Sequence, residues 1–274
     1  MSVEASTRTP LRDPGRIVSL VPSLTEALFE LGLGEKVVGV TDYCVHPARE
    51  VASRPKLGGT KNPDLAALRA LEPDLVIANQ EENKRIDVER IASSGITVWL
   101  TYPRTVADGV ALLDALTELG APDGARERVV APVEEAIARA RHCVPLLPTR
   151  VFCPIWKKPW MSVGAGTYGH DLLTLCGGLN VFGDVAELGD RRYPIVRDEQ
   201  IEAAAPEVIL LPDEPYAFGP RDAQELAALA VPAAESGRIH LIDGTLVTWY
   251  GPRIRTAIET LRSLLDPRLD ARPG

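Results

Sequence analysis

The feature that most constrains the fold is a regular alternation of short apolar strands with amphipathic helices. In the first half of the chain, strands are predicted at residues 16–20, 37–40, 75–78 and 97–100. Helices are predicted to follow them at residues 23–31, 62–72, 86–94 and 105–119. Such alternation is typical of a parallel sheet covered by helices.

Local signals place two of these helix starts. Ser23-Leu-Thr-Glu26 matches a capping box, in which a serine and a glutamate satisfy the free amides of a helix start. Asn62-Pro63 predicts a cap and then a proline in the first turn of another helix.

The alternation resumes in the second half. Strands are predicted there at residues 150–155, 208–211 and 238–242, and helices at residues 170–176 and 253–265. The segment Ala70–Ala78 aligns with Ala203–Leu211, because each contains a helix end, a proline, an acid and a buried strand. This weak internal symmetry favours two similar lobes.

A charge-rich helical pattern joins the halves. It covers residues 123–144 and contains Pro132, which would usually kink or break a helix. The 274 residues suffice for two lobes. We therefore expect an α/β fold with an amino-terminal lobe at 16–122, a linker helix or helix pair at 123–147, a carboxy-terminal lobe at 148–274, and a ligand cleft between the lobes.

Charge and hydropathy exclude some function classes. Thirty basic and 38 acidic side chains give a formal charge of −8, so nucleic acid is not an expected partner. No apolar run is long enough to span a membrane. Residues 1–15 lack the pattern of a secretory signal, and the four cysteines are widely spaced, so we expect a cytoplasmic protein, or a periplasmic or cell-surface one if the true start lies upstream.

The aromatic residues predict a ligand site. Nine of the fourteen follow predicted strands: Tyr43, Tyr102, Trp156, Trp160, Tyr168, Tyr216, Phe218, Trp249 and Tyr250. Ligands of open α/β sheets bind at the carboxyl ends of the strands, where rigid rings offer large contact area. Some of these rings could instead pin loops to the core, but recognition is favoured for the set.

Two other motifs suggest enzymes. Gly164–Gly169 matches G-x-G-x-x-G, with Asp184 and Glu187 near the spacing for a ribose contact, although no long buried strand precedes it. Cys44 and His46 could contact a metal, but no second pair completes a structural zinc site.

A hydrolase is not favoured. His170 with Asp171 resembles a base and its orienting acid, but Ser162 lies in no nucleophile elbow. Neighbouring residues also rarely face each other on a helix.

Several segments together resemble the helical-backbone (class III) substrate-binding proteins of cobalamin and iron-siderophore ABC importers. They are Arg16–Glu26, Val38–Thr41, Gly58-Gly59 with Asn62-Pro63, Glu72–Ile77 and Leu175–Asn180. The cobalamin-binding branch is resembled most, through Trp156–Trp160, Gly164 with Gly166, and Cys176–Gly178. The resemblance implies two lobes, a cleft between them, no catalysis and no intrinsic cofactor.

The resemblance also implies site residues. The cleft aromatic positions of the family fall on Tyr43, Trp156 and Trp249, to which position in the chain adds Tyr102, Trp160 and Tyr250. His46 joins the expected ligand contacts because its imidazole could meet a metal-bearing ligand. The expected function is binding of cobalamin or a related corrinoid, with an ABC importer permease as a possible partner and a monomeric chain. Metal contact by Cys44 or His46 would be to a metal carried by the ligand.

Two alternatives stay open. The first is a nucleotide- or metal-dependent enzyme that uses the Gly164–Gly169 loop or Cys44 with His46. The second is an iron-siderophore or tetrapyrrole carrier. Cations that could meet an iron-siderophore are Arg104, Lys157, Lys158, Arg253 and Arg255.

Overall fold

A computed structural model describes residues 3–143, 145–183 and 192–265. The chain forms two compact units. The first contains the residues up to Pro103, Ala107–Glu134 and Tyr250–Pro252. The second contains Arg104–Val106, Glu135–Trp249 and the residues from Arg253 onward.

The first unit is built on a parallel sheet flanked by helices. Its elements in chain order are β1 (Ile17–Ser19), α1 (Pro22–Glu30), β2 (Val37–Val40), α2 (Ala48–Ala52), β3 (Gly58–Gly59), β4 (Asn62–Pro63), α3 (Leu65–Ala70), β5 (Leu75–Asn79), α4 (Arg85–Ser93), β6 (Thr97–Thr101) and α5 (Val106–Thr117). The strand order is β2-β1-β5-β6, with every pairing parallel. Buried residues at its core include Val18, Leu68 and Val76.

Helix α6 (Ala125–His142) contains the point at which the two units are divided. It is one continuous helix with Pro132 inside it, so the predicted pair of shorter helices is not formed. Pro132 removes one backbone donor, but Val130, Val133 and Ala136 beside it are buried. Burial of an apolar face stabilises a helix more than the loss of one hydrogen bond destabilises it.

The second unit repeats the sheet order of the first. Its elements are β7 (Thr149–Phe152), β8 (Pro154–Trp156), β9 (Trp160–Ser162), α7 (Tyr168–Leu175), β10 (Gly178–Asn180), β11 (Ile195–Val196), α8 (Asp198–Ala204), β12 (Val208–Pro212), α9 (Pro220–Leu226), α10 (Pro232–Glu235), β13 (Ile239–Ile242), α11 (Thr245–Thr248) and α12 (Ile254–Leu265). The parallel order is β10-β7-β12-β13. Strands β11, β9 and β8 form a separate antiparallel sheet. The predicted α/β fold class, with parallel sheets flanked by helices, is confirmed.

Both helix starts that the local signals placed are wrong in detail. Helix α1 begins at Pro22 after Val21, without a side-chain cap, so Ser23 and Glu26 lie inside it. A proline suits this first position, because its fixed φ is helical and its missing N–H would have been unpaired. Asn62-Pro63 forms β4, and α3 is capped instead by Asp64, whose side chain accepts from the amides of the two alanines that follow Leu65.

The aligned segments at Pro73 and Pro206 form the same corner in the two units. In the first corner the Arg16 guanidinium donates to the carbonyls of Leu71 and Glu72, and Asp74 accepts from the Arg16 amide at 2.8 Å. Glu72, at the helix end, has a left-handed φ of 45°.

The second corner is built in the same way. The Arg150 guanidinium donates to the carbonyls of Ala204 and Ala205, and Glu207 accepts from the Arg150 amide at 2.8 Å. Ala205 has a left-handed φ of 41°. Each corner therefore ties the start of a central strand to the end of the helix that precedes the neighbouring strand.

Candidate functional sites

Two predicted site residues lie at the carboxyl edge of the first sheet. Tyr43 follows β2 and is 63% exposed, whereas Tyr102 follows β6 directly and is half-buried. Strands β2 and β6 are the outer strands of the sheet. With a strand spacing of about 4.8 Å, the two strand ends lie roughly 14 Å apart along this edge.

The loop that carries Tyr43 is fixed by a buried neutral network. Thr25 Oγ1 lies 2.8 Å from Ser19 Oγ and 3.1 Å from Cys44 Sγ, and Thr41 Oγ1 lies 3.2 Å from the same sulfur. Burial raises the pKa of the Cys44 thiol, so the sulfur stays protonated at neutral pH.

This environment is unlike that of a metal ligand. Metal ligation requires a thiolate, and Cys44 is a buried thiol surrounded by hydroxyl groups. His46, two residues further, is half-buried. Within the described ranges, no group of three or more His, Cys, Asp or Glu side chains is placed to hold a metal ion.

Tyr250 lies against the end of β5 in the first unit. It is buried, and Asn79 Nδ2 lies 2.8 Å from its hydroxyl oxygen. The side-chain oxygen Asn79 Oδ1 accepts from the amides of Glu81 and Glu82, and the Asn79 backbone amide donates to Asn83 Oδ1. Burial raises the pKa of Tyr250. This network holds the turn after β5. Sequence reasoning did not single out Asn79, because an asparagine at the end of a strand is common and does not by itself indicate a site.

In the second unit, Trp156 is the exposed end of a series of aromatic rings. It is 45% exposed, and its ring meets Tyr216 edge-on at 5.6 Å between centroids. Tyr216 contacts Phe218 at 4.6 Å, and Phe218 stacks on Trp160 at 6.0 Å. Trp160 is buried and belongs to the core beside Phe152. Trp156 and Trp160, which sequence reasoning treated alike, therefore lie in different environments.

Lys157, the residue after Trp156, points into the protein. Its Nζ lies 2.6 Å from Asp222 Oδ1 and 2.6 Å from Glu225 Oε2, and 5.0 Å from the centre of the Trp160 ring. Burial opposes the charged ammonium, but the two carboxylates outweigh it and hold the pKa of Lys157 above its usual value. Lys157, which the sequence suggested as a possible contact for an iron-siderophore, is thus paired with carboxylates of the protein itself.

Trp249 is buried under a charged group. The Arg253 guanidinium carbon lies 5.0 Å from the ring centre, and the Tyr168 hydroxyl donates to the Trp249 carbonyl at 3.2 Å. Glu214 accepts hydrogen bonds from the Trp249 side chain and from Thr248 Oγ1. Burial raises the pKa of Glu214 despite these bonds.

The Gly164–Gly169 segment does not form a dinucleotide-binding turn. The strand before it, β9, pairs antiparallel with both neighbours, whereas that motif requires a parallel strand of a βαβ unit. Thr167 caps α7 by accepting from the His170 amide. Asp184 and Glu187, the suggested ribose contacts, lie outside the described residues.

His170 and Asp171 are hydrogen-bonded to different partners and not to each other as a catalytic pair would be. Asn180 Nδ2 lies 3.2 Å from His170 Nδ1, and Asp171 Oδ2 accepts from the Val106 amide at 2.7 Å. Ser162 lies in β9, with its hydroxyl directed to backbone carbonyls.

Two solved structures that superpose on this chain are periplasmic binding proteins. The periplasmic vitamin B12-binding protein BtuF of Vibrio cholerae superposes with a TM-score of 0.79 at 22% identity, covering 95% of this chain and 99% of that one. The periplasmic heme-binding protein RhuT of Roseiflexus sp. RS-1 superposes with a TM-score of 0.74 at 24% identity, covering 93% and 98%. At such identities the likeness shows the fold, which is that of periplasmic binding proteins.

The sequence matches the periplasmic binding protein family over residues 17–245, and the chain belongs to that family. A curated relative, the vitamin B12-binding protein of Vibrio cholerae, is 24% identical over 251 residues, which are 91% of this chain and 88% of that protein. The predicted resemblance is thereby confirmed. Among the described residues, no helix is long and apolar enough to cross a membrane.

Proposed function

We propose that this protein binds cobalamin or a related corrinoid and does not transform it. The observation that carries the proposal is the exposure of Tyr43 and Trp156 at strand ends, each on a rigid support. Exposed rings of this kind give a flat, partly apolar ligand a large contact area at little entropic cost. The vitamin B12-binding relative supports the choice of ligand.

A permease of an ABC importer is the partner that we propose for the liganded protein. Family membership supports this proposal. Capture of such a permease from detergent-solubilised membranes, dependent on added cobalamin, would favour it over a role as a soluble carrier.

Heme is the second candidate ligand. The heme-binding neighbours favour it, and so does the placement of Tyr43 and His46 on one loop, since tyrosine and histidine are both axial ligands of heme iron. A tyrosinate–iron absorption band on hemin addition would support heme. Loss of that band in Tyr43→Phe would identify Tyr43 as the residue that binds the iron.

Calorimetric titration tests the proposal. Cyanocobalamin, hemin, a ferric siderophore and NADH are added in turn to the purified chain. We expect saturable heat with cyanocobalamin. Trp156→Ala and Tyr43→Ala should each weaken that affinity about tenfold or more, as aromatic contacts at binding sites commonly do.

Leu179→Ala is the matched control for these variants. Leu179 is as exposed as Trp156 but lies in β10, away from the aromatic series, so its truncation should leave the affinity unchanged. Absence of heat with cyanocobalamin would overturn the corrinoid proposal, and saturation with NADH would restore the enzyme alternative.

A further inference from the structure

The exposed ring of Trp156 is next to one of the most enclosed charges in the second unit. Trp156 ends β8 and is exposed, whereas the Lys157 side chain is only 8% exposed. Lys157 is the first residue of the turn that follows β8, so its backbone is bonded directly to that of Trp156. A force that holds the Lys157 side chain inward therefore also fixes the backbone from which the exposed Trp156 ring projects.

Asp222 supplies that force and also acts on a second segment. Its Oδ1 accepts from Lys157 Nζ at 2.6 Å, and its Oδ2 accepts from the Gly219 amide at 2.8 Å. Gly219 ends the segment that carries Tyr216, whose ring meets Trp156. One carboxylate thus binds both segments whose rings form the contact between exposed Trp156 and half-buried Tyr216.

Other contacts make the arrangement rigid. The Lys157 ammonium lies over the Trp160 ring, and Trp160 Nε1 donates to Asp198 Oδ1 at 3.0 Å. Glu225 gives the ammonium a second carboxylate at 2.6 Å. A buried charge with two carboxylates and an aromatic face costs much to displace, because any move leaves an unpaired charge out of water.

We propose that Lys157 and Asp222 are positioning residues, which hold Trp156 and Tyr216 together as a preformed surface for the ligand. This inference rests on the proposed function for its effect on affinity, but not for its effect on the rings. Preformed contacts bind more tightly because no side-chain freedom is lost on binding. Neither residue needs to touch the ligand.

The first test observes the rings without ligand. The protein is labelled with 5-fluorotryptophan, and the ¹⁹F resonance of Trp156 is assigned by its loss in Trp156→Phe. Lys157→Met keeps the length of the side chain but removes the charge, and we expect it to shift or broaden the Trp156 resonance. Lys158→Met, at the exposed neighbour, is the matched control and should leave that resonance in place. An unchanged Trp156 resonance in Lys157→Met would overturn the inference, whatever the protein binds.

The second test separates positioning from general damage. Lys157→Met should weaken corrinoid binding about threefold to tenfold, the range for ordering one large side chain. In a Trp156→Ala background the loss should be clearly smaller, because the part of the effect that passes through the Trp156 ring is already gone. An equal loss in both backgrounds would contradict the inference. If the wild-type chain binds no corrinoid, the proposed function fails while the ¹⁹F comparison still decides the positioning role.

A further variant keeps the inference testable if Lys157→Met does not fold. Should Lys157→Met not fold, the double variant Lys157→Met/Asp222→Asn leaves no unpaired charge at Asp222 and retains an oxygen for the Gly219 amide. It should fold and show the same displaced Trp156 resonance. A native Trp156 resonance in this double variant would again overturn the inference.

Discussion

The two units share one sheet topology but support their exposed aromatic residues differently. In both, the first strand of the parallel sheet pairs with the next strand of that sheet along the chain and with a later one, and both close the same arginine corner. In the first unit β1 leads directly into α1, and the exposed ring, Tyr43, follows the edge strand β2. In the second, an antiparallel hairpin is inserted after β7, and it carries Trp156.

The supports differ in kind. Neutral hydroxyl groups and a protonated thiol fix the loop of Tyr43, whereas an enclosed ion pair fixes that of Trp156. Neutral networks keep their bonds over a wide pH range, but ion pairs require both partners charged. The shared corners thus belong to the fold, and the divergent supports hold the two exposed rings that we propose as ligand contacts.

The largest effect that would test the shared corner is expected from Arg150→Met. It removes a charged donor from the carbonyls of Ala204 and Ala205 where the side chain is partly buried, so we expect a loss of about 2 kcal/mol in the free energy of unfolding. Arg16→Met should cost less than about 1 kcal/mol, because Arg16 is exposed and water replaces its bonds.

Urea denaturation measures both losses, and hydrogen-exchange mass spectrometry shows which unit opens. Arg221→Met, at an exposed position in α9, is the control. Equal losses at the two corners would show that burial does not distinguish them.

Much of this architecture could be predicted from the sequence. Apolar strands alternating with helices specify parallel sheets, and the segments around Pro73 and Pro206 predicted similar lobes, because a helix end, a proline and an acid recur before a buried strand. The left-handed φ of Glu72 and Ala205 could not be predicted, since neither residue type favours that conformation.

The candidate sites were less predictable. Position after a strand selected Trp156 and Trp160 alike, but only Trp156 is exposed. The difference depends on Asp222 and Asp198, which lie 65 and 38 residues away in sequence and bind Lys157 and the Trp160 indole. Spacing within a loop carries no information about such distant partners.

A smaller effect tests the helix ends of the two corners. Ala205→Gly and Glu72→Gly should each raise the free energy of unfolding by up to about 1 kcal/mol, because glycine adopts a positive φ without the steric cost of a Cβ. The added freedom of glycine in the unfolded chain limits the gain. Ala204→Gly, one residue earlier and still helical, should instead lower stability by about 0.5–1 kcal/mol. A gain at only one corner, measured by urea denaturation, would show that the two helix ends are not equivalent.

The smallest effect depends on pH and should be confined to the second unit. The turn after β5 is held by the amide side chains of Asn79 and Asn83, which do not titrate, whereas that after β12 contains Glu214, whose pKa is raised by burial. A raised pKa means that the folded state binds the proton more tightly than the unfolded chain does. The stability it contributes is therefore complete below the unfolded value of about 4.3 and is lost as the pH rises through the folded value.

Glu214→Gln should accordingly be more stable than the wild type at pH 7 and close to it below about pH 4. Glutamine keeps an oxygen that can accept from Thr248 Oγ1, so the main difference is the charge. Thermal unfolding of both proteins across this range gives the comparison, with Glu199→Gln, at an exposed carboxylate in α8, as the control. If Glu214→Gln were instead less stable at pH 7, the carboxylate would be a net support of Trp249, and the second unit would then rely on ionised groups behind both of its tryptophan-bearing loops.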